Sequence, residues 1–388
     1  MEKIPLLLAT EKRYFLNNDD DIVDIDNTRS YQFWARYLQV FNHVIVIARV
    51  SAKVVDRAPN VEGEGVSIFP LEDFQGLKET AITYRKTYLR IQQLLLNLNH
   101  AAILLRLPGT IGNIVASLCI KNNLKYSVEL VGDPYEVFRA KDNLLFKALA
   151  YYQKIKLRNI IRNSSGVSYV TQYYLQNVYP CAGYQTHYSS IQLNRSFLQV
   201  KQQSSNSKLL LIGVGSLEFR YKGVDVLLHA LKMLKDENID FSLVWLGDGK
   251  LLSEYQGLAN RLELDDKIKF EGSVDNALIP KYLAANNIFV MPSLSEGLPR
   301  ALIEAMASSL ICIGSNVGGI PELLSKTCLF EPGKSLSLFS KLKEVKTDYY
   351  YFLQTSHRNY EIAMEYLPEK LNERRIKFFK SINVNTLK

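Results

Sequence analysis

Short apolar runs alternate with segments of helical periodicity along most of the chain. In the first half, apolar runs predict buried strands at Ile4–Ala9, His43–Ala48, Ala101–Arg106, Tyr126–Val131 and Gly166–Val170, and periodic segments predict helices at Tyr31–Phe41 and Gly112–Asn122. Continuous β-branched and leucine-rich runs are typical of parallel strands that are covered on both faces. The first half therefore predicts an α/β domain.

The second half repeats this plan. Its predicted strands are Leu209–Val214, Phe241–Leu246, Lys267–Glu271, Ile288–Met291 and Leu310–Gly314. A leucine-rich stripe predicts a core-facing helix at Val224–Lys235, and another helix is predicted at Pro299–Ser308. The fold class is therefore α/β, with two Rossmann-like, doubly wound domains. Ligands bind at the carboxyl ends of strands in such sheets, so we expect an interdomain cleft.

The polar, serine-rich segment Gln199–Ser207 separates the two halves and is interpreted as the linker. The predicted division is therefore a first domain over residues 1–200 and a second domain over residues 201–365. A length of 388 residues agrees with two or three domains.

Composition excludes several classes of protein. The chain is 47% hydrophobic and 22% charged, as in ordinary globular proteins. No apolar run approaches the roughly 18–20 residues that a membrane span needs, and the N-terminal apolar stretch is too short for a secretory signal. A cytoplasmic location is expected. Cys119, Cys181, Cys312 and Cys328 are widely spaced, and the five histidines form no ligand motif, so zinc and disulfides are disfavoured.

The net charge of +8 is concentrated locally. Residues 139–162 hold seven basic residues against the single acid Asp142, and hydrophobic and aromatic residues are interleaved with them. This pattern predicts an amphipathic, cationic helix suited to an anionic membrane surface. The alternative is a solvated helix that covers its own sheet. No recognised motif supports nucleic acid as a partner.

The most informative stretch is Met291–Leu324, in which a strand, a turn and a helix beginning at Pro299 follow one another. Free backbone N–H groups at Gly297, Leu298 and Arg300, together with the helix dipole, predict an anion site. Glu296 and Glu304 flank this site. A bound phosphate would repel both carboxylates. Their presence is explained if they accept hydrogen bonds from neutral hydroxyls of the ligand. The alternative for the two glutamates is an N-cap carboxylate and a solvated helix residue.

Glu296–Gly297 with Pro299, Glu304–Ala305 and Gly318–Glu322 together resemble the E-x7-E signature of the retaining GT-B glycosyltransferases of family 4. The resemblance implies that Glu296 contacts donor-sugar hydroxyls and that Glu304 binds the ribose. It also implies that the backbone of Gly297, Leu298 and Pro299 lies against the sugar and the distal phosphate. In the family, a terminal helix returns to the first domain, so residues 366–388 are assigned there.

The segment Val214–Asp225 contains a glycine loop followed by two cations, Arg220 and Lys222, which suit a diphosphate leaving group. The family usually has Arg immediately after Gly215, where this chain has Ser216. Either Arg220 substitutes for it, or phosphate stabilisation rests mainly on Lys222. A solvated loop charge is the alternative for Arg220.

Two further loops complete the predicted nucleotide site. Gly247 follows the second strand of this half, and Gly272–Val274 follows the third. By the resemblance, the backbone near the latter meets the base, so Val274 is the candidate for that contact.

The acceptor side departs from the family. Relatives carry a His near Glu129–Pro134, and here Asp133 or Glu129 is the candidate replacement; a turn-forming Asp before Pro is the alternative. No Gly precedes Gly63, so Arg29, Ser30 and Tyr31 are candidates for the missing glycine loop. The D-x-D motif of Asp24 and Asp26 is interpreted as a solvated loop rather than a metal site. Metal independence is therefore predicted.

The resemblance implies a retaining hexosyltransferase that moves a sugar from a nucleotide-diphosphate sugar to a hydroxyl of a lipid-linked or polysaccharide acceptor in bacterial surface-glycan synthesis. The predicted catalytic residues are Glu296, Lys222, Arg220 and Asp133. No cofactor is expected, and the protein is expected on the inner face of the cytoplasmic membrane. The alternatives are a nucleotide-sugar 2-epimerase of similar architecture and a non-catalytic, membrane-associated scaffold.

Overall fold

A computed structural model describes residues 3–98, 100–135, 144–191, 193–199 and 208–387. The chain forms two compact units. Of the described residues, unit 1 contains 3–98, 100–135, 144–188 and 372–387, and unit 2 contains 189–191, 193–199 and 208–371. The division therefore falls after Tyr188, whereas the sequence prediction placed it after residue 200. Apart from Gln199, the predicted linker lies outside the described residues.

Unit 1 is built on a largely parallel sheet. Its strands are β1 (Leu6–Leu16), β2 (Ile22–Val23), β3 (Val44–Val54), β4 (Val66–Glu72), β5 (Ala102–Leu107), β6 (Ser127–Leu130), β7 (Gly166–Tyr169) and β8 (Tyr184–His187). The order is β4-β3-β1-β5-β6-β7-β8, and β2 pairs antiparallel with β1. This order places β1 in the interior of the sheet, where Leu6, Leu7 and Leu8 are fully buried.

Helices cover this sheet. They are α1 (Tyr31–Ala35), α2 (Gly76–Asn97), α3 (Thr110–Lys121), α4 (Leu144–Arg162) and α5 (Tyr174–Val178). The predicted helix at Tyr31–Phe41 is shorter than expected, because α1 passes into a 3₁₀ turn at Arg36–Gln39. Ile103, Leu105 and Leu107 of β5 face the main hydrophobic core, while Arg106 points to the opposite face.

Unit 2 contains a six-stranded parallel sheet in the order β11-β10-β9-β12-β13-β14. The strands are β9 (Leu209–Val214), β10 (Phe241–Leu246), β11 (Ile268–Gly272), β12 (Ile288–Met291), β13 (Ile311–Ser315) and β14 (Leu329–Phe330). The helices are α6 (Val224–Asp236), α7 (Leu252–Arg261), α8 (Ile279–Ala285), α9 (Arg300–Ala307), α10 (Ile320–Leu323), α11 (Ser335–Thr347) and α12 (Tyr349–Met364). A further helix, α13 (Pro368–Leu387), begins in unit 2 and belongs to unit 1 from Asn372 onward.

The predicted leucine stripe of α6 is buried against this sheet, with Val224, Leu227, Leu228, Leu231 and Leu234 fully covered. All strands of unit 2 run parallel, so the loops that follow them meet at one edge. The four cysteines of the chain are buried and form no disulfide, as the sequence predicts.

Candidate functional site

The centre of the site is the turn between β12 and α9. The helix begins at Arg300, one residue later than predicted, and Pro299 is its N-cap. The N–H groups of Gly297 and Leu298 donate no hydrogen bond to the described residues, and Pro299 has no N–H group. The positive end of the α9 dipole and these two donors therefore remain available to an anion.

A glycine pair fixes this turn from the α10 side. The N–H of Gly319 donates to the carbonyl oxygen of Gly297 at 2.8 Å. Gly318 has φ +54°, and a Cβ placed there would lie 1.8 Å from the carbonyl oxygen of Glu296. Only glycine permits this close approach without displacing the backbone that carries Glu296.

Lys222 and Glu296 form a largely buried ion pair. The Lys222 ammonium donates to Glu296 Oε1 at 2.6 Å, with the two side chains 13% and 11% exposed. The Ser293 hydroxyl donates to the same oxygen at 2.8 Å. Within the described parts of the chain, Glu296 Oε2 accepts no hydrogen bond. The carboxylate is thus held through one oxygen and keeps the other for a ligand.

The loop after β9 supports Lys222. A Cβ on Gly215 would lie 3.0 Å from Cδ and Cε of Lys222, so the lysine stem passes directly over this glycine. The backbone of Tyr221 accepts from the N–H of Leu294 at 2.7 Å, which ties the 3₁₀ turn at Arg220–Lys222 to the turn that carries Glu296.

The other predicted glycine loops meet at the same edge. The N–H of Gly215 donates to Leu246 at 2.9 Å, and the N–H of Gly247 donates to Gly272 at 2.8 Å. A Cβ on Gly247 would lie 2.0 Å from the Gly215 carbonyl oxygen, so these loops touch through backbone. Exposed Ser216 and half-buried Val274 flank the contact.

Glu304 lies on α9, and desolvation by burial raises its pKa to about 7, although Arg300 opposes the shift. Its carboxyl group makes no hydrogen bond to any described residue. A largely buried carboxyl group that makes no hydrogen bond to the described residues is suited to bind a hydroxyl group, because a hydroxyl donor would stabilise its ionised form. Glu304 is therefore half-buried, and less solvated than the alternative of an exposed helix residue would have it.

Arg220 is not brought to the Lys222–Glu296 pair. Its guanidinium binds both carboxylate oxygens of Glu254 on α7, at 2.7 and 2.8 Å, and both side chains are well exposed. This pair raises the pKa of Arg220. Arg220 and Lys222 occupy one 3₁₀ turn and point in different directions, so only Lys222 reaches Glu296.

Asp133 belongs to unit 1 and is buried. Its carboxylate accepts from Tyr179 at 2.6 Å, from Tyr174 at 3.2 Å and from the N–H of Tyr135 at 2.9 Å. The hydrogen bond from the Tyr135 N–H is the one expected of a turn-forming Asp, which was the alternative. The bonds from the Tyr174 and Tyr179 hydroxyls connect Asp133 to α5 and to the residue that follows it.

Glu129 is a second buried carboxylate of unit 1. It forms an ion pair with Arg106 and accepts from the Tyr37 and Tyr188 hydroxyls at 3.0 and 2.8 Å. Burial would raise the pKa of Glu129, but Arg106, Arg36 and the Tyr188 hydroxyl together lower it. Glu129 is therefore ionised and already paired, which makes it a poor general base.

The D-x-D segment differs from the predicted solvated loop. Asp24 is fully buried and pairs with Lys12 at 2.6 Å, while exposed Asp26 pairs with the same lysine at 2.9 Å. The carboxylate of Asp24 also accepts from the backbone N–H of Arg29 at 2.6 Å. Among the described residues, no group of three or more His, Cys, Asp or Glu side chains is placed to hold a metal.

Of the basic segment 139–162, residues 139–143 lie outside the described part, and the rest forms α4. One face of α4 is buried through Ala150, Leu157, Ile160 and Ile161. In the portion of the chain that the structure describes, no helix has the length and apolar character needed to cross a membrane.

Comparison with solved structures defines the fold. Sucrose-phosphate synthase from Thermosynechococcus elongatus matches with a TM-score of 0.71 and 15% identity, over 99% of this chain and 100% of that chain. Anabaena Alr3699/HepE in complex with UDP matches with a TM-score of 0.65 and 14% identity, over 98% and 100%. The fold is thus that of the GT-B glycosyltransferases, with two parallel-sheet α/β units.

Sequence comparison finds a family match for part of the chain. Residues 194–361 match the family described as "Glycosyl transferases group 1". Protein CapJ of Staphylococcus aureus is 27% identical over 78% of this chain and 77% of its own length. The amylovoran biosynthesis glycosyltransferase AmsK of Erwinia amylovora is 35% identical, over 26% and 27%. Residues 194–361 of this chain are therefore similar to the group 1 glycosyltransferases.

Sequence reasoning did not identify three supporting residues. Ser293 orients Glu296, Gly318 admits its backbone, and Glu254 binds Arg220. Gly318 lies in the Gly318–Glu322 motif, and Ser293 is three residues before Glu296, so the local sequence could have indicated both residues. Glu254 lies 34 residues from Arg220 and offered none.

Proposed function

We propose that this protein transfers a sugar, with retention of anomeric configuration and without a metal, from a nucleotide-diphosphate sugar to a hydroxyl of a lipid-linked or glycan acceptor. Support comes from the group 1 family match and from the UDP named in the Alr3699/HepE structure. The name of AmsK refers to the biosynthesis of a polysaccharide, which supports surface-glycan synthesis as the role.

The Lys222–Glu296 pair is the observation that carries the proposal. Glu296 Oε2 is available to accept from a sugar hydroxyl, while Oε1 stays bound to Lys222 and Ser293. Lys222 has three N–H donors, so it can keep Glu296 and also donate to a phosphate oxygen. Sugar and phosphate recognition are thereby coupled through one lysine.

The chemistry that follows is charge stabilisation on the leaving group. When the bond from the anomeric carbon to the phosphate oxygen breaks, negative charge grows on the diphosphate. The Lys222 ammonium and the free N–H groups at the start of α9 offset this charge and are already oriented before the reaction. We propose a front-face route, in which the departing phosphate oxygen accepts the proton of the acceptor hydroxyl.

Glu304 is assigned to the ribose. A ribose hydroxyl that donates to its carboxylate would stabilise the ionised form, which burial disfavours in the free protein. Nucleotide binding should therefore lower the pKa of Glu304. The Gly215, Gly247 and Gly272 loops, which touch through backbone, leave Val274 as the candidate for contact with the base.

The test is to incubate the protein with several nucleotide sugars and a glycan or polyprenyl-linked acceptor, with and without a chelator. We expect release of nucleoside diphosphate, retention at the anomeric carbon by NMR, and no effect of the chelator. Epimerisation without release, or no nucleotide binding, would instead favour the 2-epimerase or the scaffold. Loss of activity with chelator would contradict metal independence.

We also propose that α4 binds an anionic membrane surface on the cytoplasmic side. Leu144, Tyr151, Tyr152 and Ile155 are 84%, 63%, 58% and 53% exposed. Lys147, Tyr151, Ile155, Arg158 and Arg162 follow one another at spacings of four, four, three and four residues, so these exposed basic and apolar residues share one helix face. A helix face with exposed apolar and aromatic side chains, flanked by basic residues, has the composition of an interfacial helix.

Flotation with liposomes tests the membrane proposal. Wild-type protein should float with vesicles that contain phosphatidylglycerol and less with neutral vesicles. Tyr151→Ser with Ile155→Ser should reduce flotation, whereas Leu336→Ser, which removes an exposed apolar side chain from unit 2, should not. Equal flotation of both variants, or indifference to lipid charge, would refute the proposal.

A further inference from the structure

Unit 1 contains a second concentration of charge, gathered around the ring of Phe33 on α1. The guanidinium carbon of Arg36 lies 3.7 Å from the ring centroid, that of Arg106 lies 5.3 Å away and that of Arg29 lies 5.9 Å away. Three cations thus share one aromatic ring. A cation–π contact is not a hydrogen bond, so the N–H donors of the guanidinium groups remain for other partners.

Among the residues that the structure describes, negative charge does not balance this cluster. Glu129 pairs with Arg106 and also experiences the charges of Arg36 and of Arg375 from α13. Asp24 accepts from the Arg29 backbone, but its carboxylate already pairs with Lys12. Burial and, after it, the charge of Arg106 lower the pKa of Arg29 to about 10. An anion at this place would relieve that repulsion.

Several donors are left unused. Arg29 donates from its guanidinium to Thr10 at 3.1 Å, and Arg36 donates to the Tyr37 hydroxyl at 3.2 Å. The Nε groups of Arg36 and Arg106 are buried without a hydrogen-bond partner among the described residues. A guanidinium offers five N–H donors, and its planar fork matches phosphate oxygens two at a time. The side chains of Arg29 and Arg36 are partly exposed, so a ligand can reach them.

The cluster also lies where an α/β sheet binds its ligands. Arg106 and Glu129 are register partners near the carboxyl ends of β5 and β6, and Arg29 lies in the loop after β2. We propose that Arg29, Arg36 and Arg106, grouped around Phe33, form an anion site for a phosphate or diphosphate group carried by the acceptor. This inference rests on the proposed function, because it names the chemical class of the acceptor as a phosphorylated lipid or glycan.

Binding measurements on the full chain test the site. Geranyl diphosphate and inorganic pyrophosphate are titrated by calorimetry in the presence of saturating UDP, so that unit 2 is already occupied. Arg29→Gln and Arg36→Gln should each weaken both probes by about ten-fold or more, because each removes charge-assisted hydrogen bonds. Arg85→Gln, an equal charge change on exposed α2, should leave both affinities unchanged.

The controls separate this inference from the proposed function. UDP affinity should stay unchanged in Arg29→Gln and Arg36→Gln, and Arg36→Lys should recover part of the lost affinity by restoring the charge without the fork. If the two Gln variants bind the probes as tightly as wild type, the site is refuted. If they weaken UDP as much as geranyl diphosphate, the cluster serves the donor and the acceptor assignment is wrong. If UDP fails to bind wild type while pyrophosphate still depends on Arg29, the proposed function fails and the anion site stands.

Discussion

Glu304→Gln should stabilise the ligand-free protein while impairing nucleotide binding. Burial raises the pKa of Glu304 from 4.5 to about 7. Each pKa unit corresponds to about 1.4 kcal/mol, so ionised Glu304 costs the folded state about 3 kcal/mol at most. Because solvent still reaches part of the side chain, we expect a gain of about 2 kcal/mol when the charge is removed.

The sign of the pH dependence follows from the raised pKa. Below pH 4.5 the carboxyl group is protonated in both the folded and the unfolded state, so the substitution has little electrostatic effect. Between pH 4.5 and about 7 the unfolded state releases its proton first, and wild-type stability falls as pH rises. Above that range the full cost persists, so the advantage of Glu304→Gln should grow with pH and then level off.

Urea unfolding at pH 5.5 and pH 8.5 measures this advantage. The chain has two tryptophans, so Trp34→Phe in unit 1 leaves Trp245 as a fluorescent reporter of unit 2. Glu361→Gln, at an exposed position on α12, is the matched control and should show no pH-dependent gain. An equal gain for Glu304→Gln at both pH values would refute the burial argument.

The binding arm uses the same variant. A ribose hydroxyl bonds more strongly to a carboxylate than to a neutral amide, so affinity for a nucleoside diphosphate should fall by about ten-fold in Glu304→Gln. Wild-type affinity should rise with pH through 7 relative to the variant, in which the titrating group is gone. Unchanged affinity at pH 8.5 would refute the ribose assignment.

The remaining predictions concern the Lys222–Glu296 pair and its support. Lys222→Met should lower kcat by about 10²–10³-fold in a nucleotide-release assay, since it removes charge from the leaving-group site; a loss below ten-fold would contradict that role. Arg220→Gln should lower kcat less than ten-fold, because Arg220 is engaged with Glu254; a loss equal to that of Lys222→Met would contradict this prediction. Gly318→Ala should cost about 2–4 kcal/mol in urea unfolding and most of the activity, whereas Gly272→Ala, which also has positive φ but meets no atom within 4 Å, should cost only about 1 kcal/mol. Equal losses for the two glycines would show that backbone strain, rather than the approach to Glu296, decides the effect.

Local patterns in the sequence predicted much of the fold. The bounds of β9, β10 and β12 match the apolar runs, because a buried parallel strand needs an uninterrupted hydrophobic segment. Helix α2 was missed because Ile82, Leu89 and Leu96 are exposed and obscure the apolar period. Strands β4 and β8 were also missed, since the exposed residues within them break the continuous apolar run.

The site was predicted only where it is formed by residues that are close in sequence. The turn after β12 is local in sequence and was recognised from Glu296 to Glu304. The contact between Lys222 and Glu296 spans 74 residues and depends on how two loops pack, which no local pattern encodes. The direction of Arg220 within its 3₁₀ turn and the burial of Asp24 depend on tertiary structure in the same way.

Helix α13 has a consequence for the order in which the protein can fold during synthesis. Its residues from Asn372 onward belong to unit 1, where Phe379 stacks on Tyr37 with ring centroids 4.5 Å apart and Phe378 is fully buried. The ribosome makes these two phenylalanines only after all of unit 2, and losing one buried phenylalanine costs about 3–5 kcal/mol. Most of unit 1 is translated before unit 2, but its aromatic layer is complete only after Phe379 has been made. A stop codon between residues 371 and 378 would therefore remove core residues of unit 1 and leave unit 2 whole.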